Sequence, residues 1–127
     1  MSQTKRILVT GATGKVGQTF IRRLFADSKF DDFIVRALCH NRLLEPNVRL
    51  EVVRGSIERC KLVEEAMADV THVLHLATSK ETPETIMDVA IKGMFWLLEA
   101  CRVSPTFQQF ILIANVGTLI AFKTIRE

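Results

Sequence analysis

Within the 127 residues, Gly11-Ala12-Thr13-Gly14-Lys15-Val16-Gly17 is the stretch whose residue types and spacing best suit chemistry. Glycines in the form G-x-x-G-x-x-G can bring backbone amides up to a phosphate. Gly11 permits a tight turn, Gly14 leaves the main chain open to a pyrophosphate, and Gly17 lets a helix pack closely on the preceding strand. Thr13, Lys15 and Val16 lie between them, where a helix N-terminus would add unpaired amide hydrogens and a positive partial charge. A glycine-rich turn that binds nothing is the alternative. Because Lys15 is followed by Val16 and not by Ser or Thr, a nucleoside triphosphate hydrolase loop is disfavoured. Further along, His40, Asn41 and Arg42 could meet an anionic group, with solvated loop charges as the competing reading. His75 is a lone histidine without a carboxylate partner and reads as structural, not as a base. Cys39, Cys60 and Cys101 have neither C-x-x-C nor zinc-ligand spacing and read as reduced core thiols.

Positioning these groups requires alternating strands and helices. Arg6 to Thr10 is a short apolar run suited to a central strand covered on both faces. Val16, Phe20, Ile21, Leu24 and Phe25 then recur as one helix face, with Gln18, Arg22 and Arg23 on the other. Phe33 to Leu38 is a second strand, and Arg49 to Val53 alternates as an outer third strand would before Gly55 ends it. Leu62, Val63, Ala66 and Met67 predict a short helix, and Thr71 to Leu76 a fourth strand. Thr82 caps a further helix with Pro83 in its first turn. Its inward face is expected at Ile86, Ala90, Gly93, Leu97 and Cys101, flanked by Val89, Met94 and Leu98, with Trp96 a packing residue. Phe110 to Ile113 is expected as a fifth, buried strand. This order implies right-handed crossovers and one doubly wound parallel α/β sheet of the Rossmann type, about five strands in a three-layer α/β/α arrangement, in a single domain over residues 1–127.

Composition narrows the function classes. Lys and Arg number 17 against 14 Asp and Glu, and the scattered net charge of +3 argues against nucleic acid. The first apolar run stops at Thr10-Gly11, too soon for a signal-peptide core. The stretch from Phe110 to Phe122 is interrupted and falls short of the ~20 residues of a membrane span. A cytoplasmic protein without membrane partners is the expectation. The sequence contains no tyrosine.

Four segments in order carry a family likeness. Thr10 to Gly17 looks like a T-G-x-x-G-x-x-G loop, Arg54-Gly55-Ser56-Ile57 like a G-D-hydrophobic turn, His75-Leu76-Ala77-Thr78 like an H-L-A-A segment, and Lys92 to Cys101 like a K-G-T-x-N-L-L-E-A-C helix. Together, over about Lys5 to Ile113, the chain resembles the extended short-chain dehydrogenase/reductases, the NAD-dependent epimerase/dehydratase family. The resemblance implies a dinucleotide site formed by Gly11, Thr13, Gly14, Lys15, Val16 and Gly17. To these it adds His40, Asn41 and Arg42, then Gly55, Ser56 and Ile57, and finally Leu76, Ala77 and Thr78 on the ribose and nicotinamide side.

An NAD-selective site normally has a carboxylate about 20 residues past the glycine loop. Leu38-Cys39-His40-Asn41-Arg42 offers none, and Asp31 and Asp32 fall before the second strand. NADP is therefore favoured over NAD, with Arg42 and His40 as candidate phosphate partners; Arg36 is a further candidate, its mid-strand position pointing elsewhere in the competing reading. Ser56 stands where the family places an acid near the adenine. The family's chemistry also needs a tyrosine, a lysine that lowers its pKa, and a serine or threonine on the substrate carbonyl. Tyrosine is absent, and Ala114-Asn115 occupies the serine region. The expectation is the cofactor-binding, N-terminal portion of an epimerase/dehydratase-type oxidoreductase, unable to complete the reaction alone, whose residues 116–127 match the family poorly. A cofactor-sensing or protein-interaction module is the alternative, and a homodimer is one way to cover the fifth strand and Leu119 to Phe122.

Overall fold

The computed structural model of the chain describes residues 4–76 and 86–113. Five parallel strands form one sheet in the order β3-β2-β1-β4-β5: β1 Lys5–Thr10, β2 Phe33–Cys39, β3 Leu50–Arg54, β4 His72–His75 and β5 Gln109–Leu112. Helix α1 spans Lys15–Ala26 and α2 Cys60–Ala66. A π-helical run, Ile86–Gly93, leads directly into α3, Met94–Val103.

Strand β1 shows how the sequence produces layers. Every residue from Ile7 to Thr10 is buried, so both faces of the pleat must be covered. Ile7 and Val9 join Val35, Ala37 and Leu74 under Ile21 and Leu24 of α1. Leu8, pointing the other way, joins Leu38 and Val73 under Val63 and Ala66 of α2 and Leu97 and Cys101 of α3. The doubly wound, three-layer Rossmann-type architecture expected from the alternation is therefore present. In-register pairing sets Thr10 beside Leu38 on one side and His75 on the other, which levels the carboxyl ends of β1, β2 and β4. The strand order runs outward from β1 through β2 to β3 on one side and through β4 to β5 on the other, so the winding of the sheet switches between β1 and β4, the crevice where open α/β sheets bind ligands.

At the amino-terminal half of the sheet, Glu51 on β3 accepts from Arg6 Nε at 3.1 Å and from Arg36 Nε at 2.9 Å. Arg36 also donates to the carbonyls of Ala66 and Ala68 at 2.6 and 2.8 Å, tying β2 to the end of α2. That geometry corrects the phosphate role expected for Arg36, because its guanidinium is spent on Glu51 and the end of α2.

Other expectations are also corrected. Val16 is 62% exposed, because it sits in the first turn of α1 and the inward line runs through Gly17, Ile21 and Leu24. Ala90 is exposed: the wider π-helical turns rotate the inward face, so that Gly93 and Leu97 continue it but Ala90 does not. Strand β5 is only partly buried, since it forms an edge of the described sheet. Cys60 is half-buried at the start of α2, with its thiol 3.4 Å from Glu64 Oε1, while Cys39 and Cys101 are core thiols. The Thr82-Pro83 helix start lies outside the described residues.

Candidate functional site: a cleft over the carboxyl edge of the sheet

The glycine loop joins β1 to α1, and its three glycines are constrained differently. Gly11 has φ of +66°, a conformation that disfavours any side chain. At Gly17 an added Cβ would lie 2.6 Å from the Gly11 carbonyl oxygen and 2.8 Å from the Ala12 backbone, so α1 can approach β1 only over glycine. Gly14 has neither constraint. Its φ of −75° and ψ of 171° suit any residue, and a Cβ there would meet only the Gly11 carbonyl oxygen at 3.5 Å, an ordinary contact. Internal structure thus accounts for two of the glycines, while the third keeps clear space at the N-terminus of α1. Gly14 is the N-cap residue, with no side-chain hydrogen bond to the first-turn amides, which stay available to an anion.

A cleft of about 330 Å³ opens beside this loop. It gathers Gly11, Thr13 and Gly14 from the loop, His40, Asn41 and Arg42 after β2, Gly55, Ser56 and Ile57 after β3, and Leu76 after β4. Lys15 and Val16 lie on the exposed first turn of α1 and do not line it, and Gly17 is buried beneath. Ala77 and Thr78 lie outside the described residues. Thr10, Leu38 and Val89 also line the cleft: Thr10 headed the loop motif and Val89 flanked the inward helix face, but none of the three had been expected at the site. Thr10 ends β1 and Leu38, paired beside it, is the last residue but one of β2, positions the strand pattern could have flagged.

The second-strand expectations take a definite form. No carboxylate lines the cleft among the described residues. Asp31 and Asp32 precede β2 at the far end of the sheet, where Asp32 pairs with Lys5 at 3.8 Å. Arg42 reaches back across the cleft, its Nη2 donating to the Thr13 carbonyl at 2.9 Å. A cationic group is thereby held beside the glycine loop. Ser56 Oγ accepts from the Glu58 amide at 3.3 Å and so shapes the turn after β3.

Behind the cleft, His75 is 4% exposed and its Nδ1 lies 2.7 Å from the Thr10 hydroxyl. That hydroxyl oxygen also accepts from the Leu76 amide at 3.0 Å, joining the ends of β1 and β4. Burial pushes the His75 imidazole down to about 4, so it is neutral at physiological pH and serves as a strand-end anchor.

Residues 7–118 match the NAD dependent epimerase/dehydratase family. The chain belongs to that family. Among curated relatives, dihydroflavonol 4-reductase of Arabidopsis thaliana is 24% identical over 94% of this chain and 34% of its own length. The same enzyme from Zea mays is 27% identical over 93% of this chain and 36% of its length. Among solved structures, uronate dehydrogenase from Agrobacterium tumefaciens superposes with a TM-score of 0.75 at 25% identity, covering 87% of this chain and 41% of that one, and a variant of it has been solved complexed with NAD. The dTDP-glucose 4,6-dehydratase of Bacillus anthracis, in complex with NAD, shares the fold at a TM-score of 0.69 and 19% identity, over 83% of this chain and 36% of that chain. This epimerase/dehydratase-family chain therefore spans about a third of the length of the curated relatives it matches.

Proposed function

We propose that this chain is the dinucleotide-binding portion of an epimerase/dehydratase-type oxidoreductase, and that its cleft takes NADP(H) in preference to NAD(H). The observation that carries the reading is Gly14: a glycine that backbone conformation and internal contacts do not require, placed where a pyrophosphate would meet the amides of α1. The loop residues Gly11 to Gly14 and the first turn of α1, with Lys15 and Val16 on its outer side, would hold the diphosphate. Gly17 supports them from below. Gly55, Ser56 and Ile57 would border the adenine, and Leu76, followed in sequence by Ala77 and Thr78, the ribose and nicotinamide side.

Preference for the phosphorylated cofactor rests on the lining after β2. His40, Asn41 and Arg42 present uncharged or cationic groups where a ribose-binding carboxylate would repel a 2′-phosphate. Arg42, already anchored to Thr13, can offer its remaining N–H groups to that phosphate. The uronate dehydrogenase variant and the dTDP-glucose 4,6-dehydratase named above were solved with NAD, so the preference is a property proposed for this chain's own lining.

When bound, a nicotinamide dinucleotide supplies hydride transfer. The residues here bind and orient it, but proton transfer at the substrate needs a group this chain lacks, since it contains no tyrosine. The purified chain should therefore bind cofactor without turning over a sugar nucleotide or a ketone, and detectable turnover would sink the reading. Placement in the cytoplasm and absence of nucleic-acid partners are part of the same proposal. Among the described residues, no helix is long and apolar enough to cross a membrane. Among the described residues β5 is a half-buried edge of the sheet, and a second copy laid along it is the assembly this suggests, checked by sedimentation at micromolar concentration.

A further inference from the structure

Two bare glycines let the turn after β3 press against the helical layer. At Gly55 an added Cβ would overlap the end of the Leu62 side chain on α2, and the Gly55 amide donates to the Cys39 carbonyl at 2.8 Å. The backbone of the turn is thereby pinned between the end of β2 and α2. Two residues on, Ile57 meets the other helical element. At Gly93, the last residue of the π-helical run, an added Cβ would overlap Ile57 Cγ1 and Cδ1 and lie 3.2 Å from Ile57 Cβ. As the two elements stand, Ile57 fits against this helix only because residue 93 has no side chain.

Ile57 borders two different surroundings. On its inward side it is packed in one buried cluster with Leu38, Val63 and Leu97, and it is itself only 4% exposed. On its other side it lines the cleft, together with Leu38 and Val89. A close-packed cluster has no room for displaced methyl groups, so a push on Ile57 from residue 93 turns its side chain into the cleft. Retreat of the helix does not relieve that push, because Leu97, Ala100 and Cys101 of α3 are buried in the same cluster. The separation of helix and turn at Gly93 therefore fixes how far Ile57 projects over the aliphatic part of the cleft.

We propose that Gly93 is a positioning residue for the adenine end of the cleft, acting through Ile57 to set the width of a slot that Ile57 forms with Leu38 and Val89. Gly93 does not itself line the cleft. Three aliphatic side chains around a narrow opening suit a flat heteroaromatic ring, whose faces gain from contact only when the walls stand at the right separation. The proposal rests on the dinucleotide reading and assigns to that site a residue outside its lining.

Calorimetric titration of the full chain with adenosine 2′,5′-bisphosphate, which carries the adenine and no nicotinamide, tests this beside thermal melting of each variant. Gly93→Ala should weaken binding about tenfold in a chain that circular dichroism shows to be folded. Ile57→Ala removes Cγ1 and Cδ1, so in the double variant the new methyl group has room and most of the affinity should return. Ile57→Ala alone should bind more weakly than the double variant, because its slot is left too wide; that comparison decides the matter should Gly93→Ala misfold. A purely structural glycine would lower the melting temperature and leave affinity alone. Unchanged affinity in folded Gly93→Ala, a loss that Ile57→Ala does not recover, or a double variant weaker than Ile57→Ala would each overturn the proposal and leave the dinucleotide reading standing. Absence of binding of both NADPH and the bisphosphate by the unmodified chain would overturn both.

Discussion

Gly14 and Gly17 stand three residues apart in one loop, yet the contacts around them predict opposite outcomes on substitution. Gly14→Ser introduces a favoured N-cap residue whose hydroxyl can accept from the first-turn amides of α1, so melting temperature should hold or rise. The same hydroxyl occupies the donors a diphosphate would use, so affinity for dinucleotide should fall at least about tenfold, roughly 1.4 kcal/mol. Gly17→Ala puts a methyl group within 2.8 Å of backbone atoms and should be strongly destabilising in the same melting experiment. Arg42→Ala should leave NADH affinity nearly unchanged and weaken NADPH binding about tenfold, removing the preference, by calorimetric titration. At His75 the folded imidazole titrates at about 4, below its ordinary value of 6.5, so the unfolded chain binds the proton more readily. The resulting stability is fully present above pH about 6.5 and is lost as pH falls toward about 4, on the order of 3 kcal/mol. His75→Asn, which retains an acceptor for the Thr10 hydroxyl, should flatten that part of the pH dependence of chemical denaturation.

Elements place these residues because the strands end at a common level, and the apolar runs made most of that legible. Ile7-Leu8-Val9 reads as buried on both faces and is, and of the face read as Val16, Phe20, Ile21, Leu24 and Phe25, Ile21 and Leu24 are buried and turn α1 toward the sheet while Val16 stays outside. The loop glycines, the residues after β2 and the turn after β3 then reach one cleft without any long-range information from the sequence. What the sequence did not disclose depended on contacts between elements. Arg36 was a candidate phosphate ligand whose mid-strand position already allowed another direction, and its actual partner was hidden because Glu51, fifteen positions on, sits beside it only once β3 pairs with β2. Ala90 matched an ordinary helical repeat, and the change of phase came from the π-helical turns that end at Gly93. Thr10 headed the loop motif in the sequence, but its bracing role did not show because its partners, His75 and Leu76, lie at the end of another strand. The ionic cluster carries its own prediction. Burial pulls the Glu51 carboxyl upward, but Arg36 and Arg6 outweigh it and hold it below the ordinary carboxylate value. Its stabilisation is present above the unfolded pKa and is lost as pH falls through the lowered one. Because the carboxylate is 39% exposed, the effect should stay below about 1 kcal/mol, and Glu51→Gln should remove it from the acid limb of a denaturation curve.

For the whole molecule, the sheet order, with its switch of winding between β1 and β4, gives the fold, and the match over residues 7–118 places this chain in the epimerase/dehydratase family. Family and fold do not by themselves assign a function to a chain spanning about a third of its curated relatives. What distinguishes binding from mere resemblance is the cleft: amides left free at α1, a glycine kept where packing does not need one, and cationic or neutral groups after β2. The most direct measurement is a calorimetric titration of the purified chain with NADPH, NADP⁺, NADH and NAD⁺, alongside the Gly14→Ser variant. Binding of all four, tighter for the phosphorylated pair and weakened by Gly14→Ser in a chain that still melts cooperatively, is the predicted result. No heat with any of them from a folded chain would contradict it, and would mean that the fold persists here without its dinucleotide site.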